Sequence, residues 1–327
     1  MNVKEFLHTC KNLKVLIIGD VMLDAYYSGK VERISPEAPV PILNVKHSES
    51  RLGGAANVAL NIQALGAEPV LCAVIGNDRY TASVLELMKK HRLNAAGLIT
   101  SKERISTVKT RLMGSNHHLL RVDEEMTTPL STKDEKALLS VVLKQMKSVQ
   151  AIIFEDYDKG VITPRIIEQV VKEATKRKIP VVVDPKKNNF LNYKGVTLFK
   201  PNLKELREGL KLDTDLKNHT QLESAIFQLK NLLKAKHVMV TLSEDGVAIT
   251  EGNKKMYHIA AHIRRISDVS GAGDTVVSVA TLALAAGCSA SQVAAYANLA
   301  GGLVCEQVGV VPIDKKRFAA EAQLYQL

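Results

Sequence analysis

Tryptophan is absent, and aromatic residues make up only 4% of the 327 positions. Little surface is available for stacking on bases, and Lys and Arg are spread along the chain without aromatic interleaving, which argues against nucleic acid as a partner. Cysteine is scarce. Cys10, Cys72, Cys288 and Cys305 stand far apart with no CxxC pair, a pattern that fits buried thiols in a reducing compartment better than a disulfide framework or a zinc site. No run of 18 apolar residues occurs, and no charged leader precedes an apolar stretch at the N-terminus. Neither a membrane span nor a secretory signal is expected, and a cytoplasmic location is. Two common phosphate-binding patterns are missing as well. GxxxxGK[ST] is found nowhere and no GxGxxG follows the first apolar run, which sets aside P-loop and dinucleotide-binding folds.

What is present describes a globular chain. Hydrophobic residues reach 46%, the mean hydropathy is −0.01, and the length suffices for a large buried core. Lys and Arg number 44 against 34 Asp and Glu, a net charge of +10. Such a field steers small anionic ligands inward.

KVLIIGD at 14–20, PVLCAVIG, AIIFEDYD, IPVVVDP, VTLFKPN and HVMVTLSEDG share one design: an apolar run with a polar end. Stretches with helical spacing lie between most of them, as in GGAANVALNIQALG at 53–66. The alternation predicts an α/β fold with a doubly wound sheet, whose ligands bind beyond the carboxyl ends of the strands. VPILNVKH at 40–47 and ISTVKTRLMGSNHHLLRVDE at 105–124 alternate apolar and polar residues instead, the second folding back through a glycine-containing hairpin turn. Segments of about 25–47 and 103–125 are therefore expected to form a small β lid on one domain spanning 1–327. His258 and His262 are four apart, but KKMYHIAAHI reads as strand and loop, which separates the two rings and predicts no metal site.

The stretch DVSGAGDTVVSVATLALAAG at 268–287 carries the chemistry. Gly271, Ala272 and Gly273 leave backbone N–H groups uncovered where an apolar helix begins, and the helix dipole favours an anion there. Asp274 beside them is expected to be ionised and able to take a proton from a hydroxyl. Anion hole and base together suggest phosphoryl transfer to an alcohol. The competing reading of Asp274 alone is a helix cap.

DVSGAGDT, with an early GGAANVA and a PNLKE after a strand, resembles the ribokinase (PfkB) family of ATP-dependent carbohydrate kinases, in the family's order and over nearly the whole chain. The resemblance implies a three-layer α/β/α domain with a β lid, Mg·ATP as phosphoryl donor, and Asp274 as the base that activates a sugar hydroxyl. GDVMLDAY, RISPEAPVPI, RLGGAANVALNI, LLRVDEE and VDPKK are similar to the D-glycero-β-D-manno-heptose 7-phosphate kinase group, which includes the kinase half of bifunctional ADP-heptose synthases. That likeness implies phosphorylation of the anomeric oxygen of heptose 7-phosphate, giving the 1,7-bisphosphate for lipopolysaccharide core synthesis. No nucleotidyltransferase half is expected before Leu327, which makes the chain a stand-alone kinase or an excised domain. A homodimer joined through the lid is expected too. Competing functions are a kinase for an unphosphorylated sugar or nucleoside and an inactive sugar-binding regulator.

The resemblance also assigns residues. Asp24 accepts hydrogen bonds from sugar hydroxyls, and Gly53, Gly54 and Asn57 form the substrate-side turn, glycine allowing close backbone approach. Apart from the resemblance, one carboxylate of the acidic cluster Glu155, Asp156 and Asp158 is expected to hold sugar hydroxyls or to bias the metal site, Asp156 being the one named for the sugar; a solvated strand end is the competing reading. Asn202, Leu203, Lys204 and Glu205 organise the triphosphate, with Glu205 holding Mg²⁺ through water; capping of a helix is the competing reading. Thr241, Ser243 and Gly246 form a strand end and turn suited to nucleotide phosphates, although the family often has Gly where Ser243 stands. Asp184 and Lys186 face the ligand crevice, and Asn298 neighbours the adenine. For the far phosphate of the sugar the reachable cations are Arg33, Arg51, Lys109 and Arg111, with Lys186 as an outside candidate. In an alternating strand Lys109 and Arg111 share a face. A charged, solvated edge strand is the competing reading for that pair.

Overall fold

The computed structural model describes residues 1–327 except 115, 116, 215 and 217. In chain order the strands are β1 Lys14–Gly19, β2 Val21–Ile34, β3 Pro41–Gly54, β4 Glu68–Gly76, β5 Leu98–Ser101, β6 Thr107–Gly114, β7 His117–Glu124, β8 Ala151–Glu155, β9 Val181–Asp184, β10 Leu198–Phe199, β11 His237–Thr241, β12 Val247–Glu251 and β13 Lys255–Ile259. Nine of them form one sheet in the order β13-β12-β11-β10-β9-β8-β1-β4-β5. It is parallel from β11 to β5 and carries the antiparallel pair β12 and β13 at one edge. The hairpin turn expected between β6 and β7 centres on positions 115 and 116 and lies outside the described residues.

Strand parity makes the layers. In β8, Ala151 and Ile153 join the core shared with the helices Ala55–Ala64, Ala272–Ala285 and Ala290–Val304. Ile152 and Phe154 join the opposite core, with the helices Thr132–Gln145, Pro164–Arg177 and His219–Leu233. Fully burying the Ile and Phe side chains contributes about 1.5–3 kcal/mol each. The helix Ala272–Ala285 is buried on every side from Asp274 to Ala283, between the sheet and two other helices. Its N-terminus is consequently held in a fixed place at the strand ends.

The lid is the four-stranded sheet β3-β2-β6-β7. It reaches deeper into the molecule than the alternation predicts. Val21 to Tyr26 are all buried at its base, so VMLDAY is covered on both faces and shows no polar side, which hides it from a period-two reading. Asp24 accordingly sits within a strand, at the buried base of the lid. The strand at KKMYHIAAHI ends at Ile259, His258 Nε2 meets the Asp245 carbonyl at 2.7 Å, and His262 stacks on Tyr325 with centroids 4.0 Å apart. The two rings have different partners, and no group of three or more metal-ligating side chains occurs among the described residues.

Candidate active site

Gly271 precedes the helix Ala272–Ala285 with φ of 79°, and no side chain caps the first turn. A Cβ at Gly271 would lie 3.0 Å from Asn57 Nδ2, so a side chain there is opposed by both space and backbone conformation. Asp274 follows in the first turn and is 3% exposed. Its Oδ2 accepts a hydrogen bond from Asn57 Nδ2 at 2.7 Å and its Oδ1 accepts one from the Tyr157 hydroxyl at 2.7 Å. Burial pushes its pKa up to about 6, the hydrogen bonds from Asn57 and Tyr157 opposing the rise and the charges of Asp184 and Asp24 adding to it. The helix-end argument alone anticipates no such rise. Removal from water outweighs it.

Behind this turn lie the ends of the parallel strands. Glu155 ends β8 and Asp184 ends β9, and they pair directly in the sheet register. By parity Glu155 shares the face of Ala151 and Ile153, which turns it towards the helix that carries Asp274. Among the described residues neither of its carboxylate oxygens has a hydrogen-bond partner. Burial, then the charges of Asp184 and Asp274, raise its pKa well above the usual carboxylate range, with Lys200 and Lys186 acting the other way. Asp184 Oδ2 meets Lys200 Nζ at 2.9 Å, and a Cβ on Gly273 would lie 3.5 Å from the same oxygen. Lys186 Nζ sits 2.7 Å from Glu205 Oε1 and 3.9 Å from Asp184 Oδ1. Burial lowers the Lys186 ammonium, but Asp184 and Glu205 outweigh it and hold its pKa above the ordinary value.

Asn202 and Glu205 form a reciprocal capping box: Asn202 Oδ1 accepts from Glu205 N at 2.8 Å and Glu205 Oε2 accepts from Asn202 N at 2.8 Å. Both carboxylate oxygens of Glu205 are thus engaged, one by the cap and one by Lys186. Leu203 packs against the core, and Lys204 is 75% exposed and 3.8 Å from Glu208. The side chains of Leu203 and Lys204 therefore point away from the crevice, because only the second and fifth residues of PNLKE, Asn202 and Glu205, return to the helix start.

The lid supplies one polar face. Asp24 is 3% exposed and pairs with the Arg111 guanidinium, which lies 5.3 Å from the centre of the Tyr26 ring. Lys109 Nζ lies 5.9 Å from the Tyr157 ring centre, so Lys109 and Arg111 do look inward together. Burial, then neighbouring Lys159, lowers the Lys109 pKa. Among the described residues Lys109 has no carboxylate within ion-pair distance. Arg51 ties the lid to the loop after the helix Ala290–Val304, donating to the carbonyls of Val308 and Val310 at 3.1 and 3.3 Å. Its other nitrogen meets Glu49 at 2.6 Å.

Glycine at 53 has a steric cause: a Cβ there would lie 2.1 Å from Asp24 Oδ2. Gly54 has φ of 56°. Gly53→Ala is expected to displace the Asp24 carboxylate at an overpacking cost of about 1–3 kcal/mol. Thermal melting should show the loss, and the KM for sugar should rise more than the KM for ATP.

On the nucleotide side, Thr241 ends β11 and bridges to Asn202. Ser243 has φ of 56° and Gly246 φ of 89°. The Ser243 backbone thus adopts the conformation that glycine favours, which accounts for the residue expected there in relatives. Asn298 donates to the Ala260 carbonyl at 2.8 Å and so fixes the strand exit that leads towards the anion hole.

Two candidates fall elsewhere. Asp156 turns to the opposite core, accepting from Tyr193 at 2.6 Å and from Asn189 at 3.2 Å; one step of strand parity makes Glu155, not Asp156, the inward carboxylate. Arg33 is exposed near the outer end of β2, paired with Ile42. Nine residues of strand separate it from Asp24, roughly 30 Å. Sequence reasoning passed over three residues, Tyr157, Lys200 and Asp20, and it left a fourth, Glu155, unranked within its acidic cluster. Asp20 accepts from the backbone N–H groups of Tyr157, Lys159 and Val161 at 2.8, 3.2 and 3.2 Å. It shapes the loop that brings Tyr157 to Asp274. Each of the four stands at or just beyond the end of a β-strand, which is the signal that marks them.

The profile of the pfkB family carbohydrate kinases matches residues 12–316. The chain belongs to this family. The kinase is 36% identical over 310 residues to the bifunctional protein HldE of Desulfatibacillum aliphaticivorans, covering 95% of this chain and 63% of that protein. It is 38% identical over 310 residues to HldE of Rhodospirillum rubrum, covering 94% and 62%. The kinase chain thus spans less than two thirds of the length of these relatives. Phosphofructokinase-2 from Escherichia coli in complex with potassium superposes with a TM-score of 0.76 at 19% identity, over 95% of this chain and 99% of that one. Arabidopsis thaliana ribokinase complexed with ribose and ATP gives 0.73 at 16%, over 95% and 98%. These likenesses show the fold, a ribokinase-like α/β/α arrangement with a lid. Family membership makes the chain a sugar kinase with ATP as a substrate. No described helix is long and apolar enough to cross a membrane.

Proposed function

We propose that this sugar kinase transfers the γ-phosphoryl group of ATP to the anomeric hydroxyl of D-glycero-β-D-manno-heptose 7-phosphate, giving the 1,7-bisphosphate for ADP-heptose and lipopolysaccharide core synthesis. The observation that carries the reading is the inward pair Lys109 and Arg111, on the lid face opposite Asp274. A second phosphate on the sugar needs such cations at a distance from the reacting hydroxyl, and Arg binds phosphate bidentately. The identity of 33–38% to proteins named HldE over most of the chain supports the same substrate.

The chemistry then follows from the site. The sugar hydroxyl takes the place of Tyr157 or Asn57 on one oxygen of Asp274, and Asp24 accepts from a second hydroxyl. The γ-phosphate rests on the N–H groups of Gly271, Ala272 and Gly273, where the helix end stabilises the charge that develops. The sugar oxygen forms its bond to phosphorus as the bond to the β-phosphate oxygen breaks, Asp274 takes the proton, and ADP leaves. Mg²⁺ travelling with ATP would be held through water near Glu205 and Asp184, and would neutralise phosphate charge. Lys186 is placed to leave Glu205 and meet the phosphates. Incubation with ATP and a panel of sugars, with and without a terminal phosphate, tests the reading: turnover should be greatest with the heptose 7-phosphate. A panel in which only unphosphorylated sugars react refutes it.

Asp274 must be deprotonated to act, so activity should fall as the pH drops through about 6. Tyr157→Phe removes a donor that favours the charged carboxylate, which raises the Asp274 pKa further and moves the acid limb of the kcat/KM profile to higher pH. An unchanged limb would show that Tyr157 does not set it.

The outer lid exposes Val31, Ile34, Val40, Val45, Leu120 and Val122. In our reading a second copy of the chain covers them, and Arg33 lies at that edge. Sedimentation should give a dimer, which Leu120→Glu converts to monomer.

A further inference from the structure

We propose that Glu155 is a cation-facing carboxylate which, beside Asp184, receives the divalent ion that accompanies the nucleotide. The inference rests on the kinase reading and deepens it. Glu155 is fully buried, and neither of its oxygens has a hydrogen-bond partner among the described residues. Asp184 Oδ1 also has none, while Oδ2 is held by Lys200. The two residues stand side by side at the ends of β8 and β9. Their shared direction is the start of the helix Ala272–Ala285, the place proposed for the phosphates.

Charge makes the same point. Among the described residues, the ammonium groups gathered with the carboxylates of Glu155, Asp184, Glu205 and Asp274 around the strand ends are those of Lys186 and Lys200. Fully ionised, this nest has an excess of two negative charges. Buried carboxylates without partners are costly, and a triphosphate arriving alone would add to the excess. A divalent ion balances it. Because no group of three or more metal-ligating side chains is gathered among the described residues, the ion must be completed by phosphate oxygens and water. That is how Mg²⁺ is commonly held, with one or two carboxylates plus substrate phosphates. Glu205 has both oxygens occupied by the cap and by Lys186, whereas among the described residues Glu155 has no hydrogen-bond partner and Asp184 Oδ1 has only Lys186 Nζ at 3.9 Å.

The test is Mn²⁺ binding, counted by electron paramagnetic resonance with a non-hydrolysable ATP analogue present. Glu155→Gln should weaken Mn²⁺ binding by about 10- to 100-fold, while the analogue measured without metal should bind as it does to the native chain. Equal Mn²⁺ affinity in the native and Gln chains overturns the assignment. If the Gln variant shows no cooperative melting transition, Glu155→Asp is measured instead, since it keeps the carboxylate but withdraws it by one methylene. Weakening by about threefold or more then supports the assignment, and unchanged affinity overturns it. The native chain provides the separate control. If it binds neither analogue nor Mn²⁺, the kinase reading itself fails; if it binds both and the variant matches it, only the role of Glu155 fails.

Discussion

Asp274→Asn should lower kcat by about 10²- to 10⁴-fold, the usual cost of losing a positioned base. The substitution keeps the shape of the turn. The Asn carbonyl can still accept from Asn57 Nδ2, and its NH₂ group can donate to the Tyr157 oxygen, so both 2.7 Å contacts have a counterpart. Folding and nucleotide affinity should therefore remain near those of the native chain, which melting and analogue titration would establish. The loss should appear in kcat and in kcat/KM alike, because the proton is accepted only as the transition state forms. If the Asn variant retains more than about half of the native kcat, Asp274 is a helix-start residue with a structural role, and the proposed chemistry needs another base.

Lys109→Ala is expected to lower kcat/KM for heptose 7-phosphate roughly 10- to 150-fold and to leave an unphosphorylated heptose nearly unaffected. A hydrogen bond to a charged group is worth about 1.5–3 kcal/mol, which sets that range. Lys109 is the cleaner probe of the lid cations. Arg111 already pairs with Asp24, so Arg111→Ala would leave a buried carboxylate without its partner and disturb sugar hydroxyl binding too. Arg51 is committed to two backbone carbonyls and Glu49, and its loss should loosen the contact between lid and body for both substrates equally. A Lys109 variant that loses activity equally on both sugars would remove the argument for a second phosphate at the lid.

Most of the fold was legible because buried parallel strands announce themselves as apolar runs with polar ends, as KVLIIGD and IPVVVDP do. The base of the lid was not, since Val21 to Tyr26 are covered on both sides and lose the alternation that marks an exposed sheet. The GAGD turn stood out from chemistry, as uncovered N–H groups and a carboxylate at a helix start, but a helix cap has the same local pattern, and only the rest of the chain weighs between the two. What sits around it could not be ranked. Choosing between Glu155 and Asp156 requires the strand register to within one residue, and register is a property of the assembled sheet. Tyr157 is three-dimensional in the same sense. Its hydroxyl reaches Asp274 only because Asp20, 137 positions earlier, gathers the backbone N–H groups of its loop. PNLKE shows the opposite case, in which one pair of residues serves two readings: Asn202 and Glu205 do cap their helix, and that geometry is also what places Glu205 beside Lys186, whose ammonium in turn lies 3.9 Å from Asp184.

The position of the new phosphate tests the account most directly. Phosphorus NMR of the product formed from ATP and D-glycero-β-D-manno-heptose 7-phosphate should show two sugar phosphates, one at C7 and one coupled to the anomeric proton, together with one equivalent of ADP. A product phosphorylated on any other oxygen, or no turnover of this sugar by a chain that phosphorylates an unphosphorylated sugar, would contradict it.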